Sequence, residues 1–234
     1  MSKVDQAFEE ALSAVDEHLA GGDLQAARAA AAQAARLAGA GDPDVLFAEA
    51  SIAWAEQDLE RAAELLQRVV NLQPQHADAH YGLAAMAEER GEPERVIAHW
   101  LKVHSLDARA DRSARIGRRA EVDHIDAVAH EVLLQLPSPF AERLEHVPVI
   151  LEPRPSRDLV RSGFDPRSLG LFEGPPDGDH ETAAPARIVL FVNNLLAEFP
   201  EREELEDEIE VTLLHEIGHY FNLDEDDMRR LGLD

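Results

Sequence analysis

The chain has 234 residues, no cysteine, and 47 acidic against 22 basic residues, for a formal net charge of −25. The length admits one large domain or two small ones, the absence of thiols excludes disulfides and cysteine-ligated metal sites, and the charge argues against nucleic acid as a partner. No apolar run approaches the ~18 residues a membrane helix needs, and the opening MSKVDQAFEEAL reads as an acidic amphipathic helix rather than a signal peptide, so a soluble cytoplasmic protein without a membrane partner is expected.

From the N-terminus to about residue 110, alanine-rich helical segments alternate with breaks at GGD, AGAGDPD, EQD, LQPQHAD and ERGEP. An offset of 34 residues aligns Asp44 with Asp78, Ala50 with Ala84, Glu60 with Glu94, Arg61 with Arg95, Val69 with Val103 and Leu72 with Leu106. That offset is the tetratricopeptide period. The stretch resembles that repeat family: Ala50 and Ala84 stand at its close-packing position, Ala62 and Val96 at its small position in the second helix, Leu66 and Trp100 at its aromatic position. Pro74 closes one copy, and Ala108 stands where the next would have its proline. A looser first copy occupies residues 4–41. Stacked helical hairpins bury a face that none can bury alone. The resemblance implies a concave surface for a peptide or protein partner, with a ligand-free folding platform as the alternative.

Residues 109–120, RADRSARIGRRA, form the one basic patch, in which Arg109, Arg112, Arg115, Arg118 and Arg119 are expected to pair with neighbouring carboxylates across a domain junction. Residues 111–121 are accordingly read as a basic helical linker between a repeat domain at 1–110 and a second domain at 122–234. The second half holds most of the acidic excess, with 27 acidic against 9 basic residues over 121–234. Solubility explains this, and a preference for basic peptides is the sharper alternative.

In VDHIDAVAHEVLLQL, residues 122–136, apolar residues recur at helical spacing and stop at Pro137. The period then changes. HVPVILEP (146–153), SLGLFEG (168–174) and ARIVLFV (186–192) are short apolar runs between Pro, Gly and Asp clusters, and read as three strands. The intervening loop carries His180. Pro200 and the acids after it open a further helix, whose negative charges suit a helix N-terminus.

That helix contains VTLLHEIGHYF, residues 211–221. Its polar side chains, Thr212, His215, Glu216 and His219, fall within one sector of roughly 100°, and apolar residues fill the rest. A carboxylate in a buried helix needs a cation or good hydrogen bonds. His215 and His219, four apart, project from neighbouring turns and can share one metal ion, with Glu216 beside them to take a proton from water. This is the HExxH pattern of zinc metalloproteases. His76 and His80 are also four apart but lack an acid after the first histidine, and read as surface residues.

A third ligand is expected from NLDEDD. Asn222 suits a left-handed helix end, where metzincins have a glycine, and the resemblance to their spacing implies Glu225 as the returning ligand, with Asp224 or Asp226 as alternatives. The order of elements over 122–234, with LGLFEG, RIVLFVNNL and HEIGHYF before LDED, resembles the minimal-zincin family of HExxHxxGxxD type. The resemblance implies zinc at His215, His219 and Glu225, with Glu216 as general base. Asn222 replaces that family's glycine, and Glu225 its aspartate. The expected fold is therefore α+β: all-α tetratricopeptide-like repeats, then a small zincin-like domain with a roughly three-stranded sheet. The expected function is a zinc-dependent peptidase whose repeats recruit substrate or partner, and the competing reading is a repeat scaffold with a structural or regulatory zinc site.

Overall fold

The computed structural model describes residues 3–175, 185–223 and 227. It divides into two compact units, 1–106 and 107–234. The division falls inside a helix, and residues 107–121 lie in the second unit.

The first unit is built from helices α1 (Lys3–Ala20), α2 (Leu24–Ala38), α3 (Pro43–Ala55), α4 (Leu59–Leu72), α5 (Ala77–Glu89) and the start of α6 (Pro93–Ala114). Asp23, Asp42 and Asp58 each accept a backbone N–H at the start of the following helix, so the acids in the breaks are N-caps. α1 packs on α2 and α3 on α4. The α3 and α5 starts are 34 residues apart, as are those of α4 and α6. Small residues let the helices approach: Ala27, Ala62, Ala79 and Ala84 are all fully buried.

His76 and His80, read as surface residues, are less exposed than the sequence implies. The His76 Nδ1 accepts the Ala79 N–H at 3.1 Å, capping α5, and its ring lies 4.7 Å from that of Phe47. His80 Nδ1 meets His99 Nδ1 at 3.0 Å, and burial, the largest cause, lowers both pKa values. The partner of His80 is 19 residues away in the next helix, which local spacing cannot reveal.

The second unit contains α7 (Arg119–Gln135), α8 (Ser138–Leu144), β1 (Val149–Glu152), α9 (Arg157–Arg161), β2 (Gly170–Glu173), β3 (Arg187–Phe191), α10 (Val192–Glu198) and α11 (Arg202–Tyr220). The chain breaks between α6 and α7, where Arg115 and Gly117 have φ of 58° and 80°. Glu121 closes that break by accepting the Gly117 and Arg118 N–H groups at 3.0 and 2.8 Å. The Arg118 and Arg119 side chains pair locally, with Glu121 and Asp123.

The sheet order is β1-β3-β2, with β1 parallel and β2 antiparallel to β3. β3 is central, and Ile188 to Phe191 are all buried, as a continuous apolar run predicts for a strand covered on both faces. α11 lays Leu205, Ile209, Leu213 and Ile217, each four apart, into a core with Ile188 and Leu190 of β3 and Ile125, Ala129 and Val132 of α7. The three strands lie inside the runs read from sequence, whereas the short helices α8, α9 and α10 lie in segments too brief to show a period. Among the described residues, no helix is long and apolar enough to cross a membrane.

Candidate metal centre

The centre is built on the last two turns of α11, beside β2. Packing the Leu205–Ile217 stripe into the core fixes the rotation of the helix, and His215, Glu216 and His219 follow from it. Glu216 is buried, His215 half-buried and His219 exposed. The two imidazoles converge, with Nε2 to Nε2 at 3.0 Å and ring centroids 4.6 Å apart.

Glu216 is 7% exposed. Burial pushes its carboxyl up to about 7, and the backbone N–H of Phe172 in β2, which donates to it, pulls the other way. One backbone donor satisfies little of a carboxylate's capacity, so the site favours a neighbouring cation or a proton.

Gly170 makes this approach possible. A Cβ there would stand 2.8 Å from Thr212 Cγ2 and 2.9 Å from both Cγ and Oε1 of Glu216. Gly170→Ala is therefore expected to force β2 from α11, costing about 1–3 kcal/mol of stability and displacing the carboxylate. Thermal unfolding together with kcat on a cleaved peptide checks it. An unchanged melting temperature and unchanged kcat would contradict the close contact.

The helix ends in a left-handed turn. Asn222 has φ of 55°, and Leu223 N–H donates to Gly218 O at 3.0 Å, the long bond of a Schellman end. Asparagine thus serves in the position where a glycine would be easiest. Tyr220 O–H donates to Arg143 O at 3.2 Å, and the Arg143 guanidinium lies 4.8 Å from the Phe221 ring centre, tying this end to α8. Beside the helix, Phe164, Leu171, Phe172, Glu216, His219 and Asn222 line much of a cleft of about 540 Å³.

Glu225, Asp224, Asp226 and His180 lie outside the described residues. Among the described residues, no group of three or more histidines and carboxylates is placed to hold a cation. The donors present still fit zinc: two convergent imidazole nitrogens and no thiolate, with the buried Glu216 carboxylate beside them placed to act on water. Their separation is compatible with Zn–N bonds of about 2.0–2.1 Å to a common ion.

Residues 144–233 match the family model for zincin-like metallopeptidases. The zincin-like segment takes in the whole sheet, α9 to α11 and the HEIGH sequence, and covers less than half of the chain. Members of this family are zinc-dependent, so the match supports a metallopeptidase reading for the segment. Comparison with curated proteins gives no match.

Sequence reasoning missed Gly170, the Phe172 N–H and the buried Asn194. Gly170 carried a signal, being a glycine inside a strand, which often marks close approach of another element. Nothing local pointed to the Phe172 N–H.

Proposed function

We propose that the chain is a zinc-dependent peptidase in which His215 and His219, with Glu225 as third ligand, hold the metal, and Glu216 is the general base. The observation that carries the proposal is the juxtaposition of convergent imidazoles with a buried carboxylate lining a cleft, in a segment that matches zincin-like metallopeptidases. When bound, zinc supplies Lewis acidity to water and to the scissile carbonyl.

The remaining work belongs to the chain. The Glu216 carboxylate accepts a proton from the attacking water and returns it to the leaving amine. The Phe172 N–H holds that carboxylate in orientation, and Gly170 lets it sit against the strand.

The first half is proposed to be a tetratricopeptide-like repeat domain over 1–110 that recruits a peptide or protein, joined through 111–121 to the peptidase domain at 122–234. The helix starts offset by 34 residues support it. The test is product mapping of a mixed peptide library with zinc-loaded protein, chelated protein, and chelated protein with zinc restored. Cleavage lost on chelation and recovered with zinc is the expected result. No cleavage by protein carrying a full equivalent of zinc would shift the assignment to a scaffold with a zinc site.

A further inference from the structure

A buried polar network stands beside the cleft without touching the candidate catalytic groups. Arg154, following β1, and Asp111, near the end of α6, have side chains only 8% and 6% exposed. The guanidinium grips Asp111 with a two-pronged pair, Nε to Oδ2 at 2.6 Å and Nη2 to Oδ1 at 2.7 Å. Its Nη1 donates to Oδ1 of Asn194, a residue 3% exposed on α10. The Asn194 amide then donates both protons to backbone carbonyls, Pro166 O at 3.0 Å and Ser168 O at 2.6 Å. Only this orientation serves, since the reverse would set the amide N–H groups against the guanidinium and leave two carbonyls facing an oxygen.

The same loop is held from its other side. Arg167 bonds Asp107 through Nε at 2.9 Å and Nη2 at 3.2 Å, and Arg167 N–H donates to Asp165 Oδ1 at 2.8 Å. Phe164 and Ser168, at the two ends of this loop, line the cleft with Glu216 and His219. Two residues beyond Ser168 stands Gly170, against the Glu216 carboxylate.

Burying an ion pair is a weak route to stability, because desolvation cancels much of the attraction. A bond pattern that terminates on two loop carbonyls does something more specific: it fixes backbone. We propose that Arg154 and Asn194 are positioning residues that set the cleft wall at 164–168 for substrate, an inference that rests on the peptidase reading. His215, Glu216 and His219 lie on α11 and make none of these bonds. Loss of the network therefore acts on substrate binding and leaves the metal and the chemical step in place.

The test uses the full-length zinc-loaded chain and one fluorogenic peptide, chosen from those the wild type cleaves. Asn194→Ala removes the link to the carbonyls, and Arg167→Ala, at a half-buried side chain, is the variant less prone to misfold. Arg154→Lys keeps the charge without the fork. The measurements are kcat, KM, zinc per chain and amide hydrogen exchange. The expected result for Asn194→Ala and Arg167→Ala is a KM raised at least fivefold with kcat within twofold and zinc unchanged. Exchange over 164–168 should be at least tenfold faster while that over 170–173 and 202–220 is unaltered, and Arg154→Lys should be intermediate. With an active wild type, an unchanged KM despite faster exchange at 164–168, or acceleration spread evenly over the domain, overturns the inference alone. A wild type that cleaves no peptide overturns the peptidase reading and takes this inference with it.

Discussion

Glu216→Gln is expected to lower kcat by about 10²–10⁴, the range a positioned general base contributes, while zinc binding changes little. The substitution keeps the size of the side chain and removes the group that accepts the proton. It also keeps an oxygen for the Phe172 N–H, so β2 has no reason to move. In a site 7% exposed, the neutral amide is easier to bury than a carboxylate, and the variant should fold at least as well as the wild type. Steady-state kinetics and metal content, measured on the same preparation, separate the two effects. Full activity with zinc bound would remove Glu216 from the base role even if the metal centre were correct.

His219→Ala should act differently, through the metal. Replacing groups that merely orient a ligand costs about 10–100-fold in metal affinity, so removing a ligand itself should cost more than about 100-fold. Its ring is exposed, so the loss should come without unfolding. The His215 ring, 4.6 Å away, would then face an alanine methyl and hold at most a weakly bound ion. A competition titration against a chelator of known affinity reads the change. Zinc affinity within tenfold of the wild type would mean that the two histidines are paired to each other and not to a metal.

The parts of this protein that sequence made legible are those with a short period. A helix with four-residue spacing placed His215, Glu216 and His219 on one face, and the geometry follows from nothing beyond 3.6 residues per turn. Asn222 was legible too, because a non-glycine residue adopting φ of 55° is most easily an asparagine. Strand runs could be located, since ARIVLFV reads as a short apolar strand, but neither their order nor the parallel pairing of β1 with β3 has any local signature.

The buried network was missed for a related reason. Asp111 and Arg154 are 43 residues apart, and Asp111 sits in a stretch that reads as a run of arginines. Five arginines dominate the composition of 109–120, while the residue that the fold buries there is the acid. Asp107 and Asp111, four apart on one helix face, were the available hint. Asn193 and Asn194, polar residues directly after the most buried strand, were another: Asn193 Nδ2 also donates to Asp111, at 2.9 Å. Polar side chains placed where the neighbouring sequence is apolar are the ones whose partners come from far along the chain.

The central claim is that His215 and His219 bind zinc for hydrolysis. Its most direct test is the metal content of full-length protein purified without an affinity-tag metal, measured by mass spectrometry for the wild type and His215→Ala, with peptide cleavage assayed on both. One equivalent of zinc in the wild type, its loss in the variant, and cleavage that disappears with it are the predicted results. A wild type that binds no zinc when offered it, or a His215→Ala variant that keeps both metal and cleavage, would contradict the account.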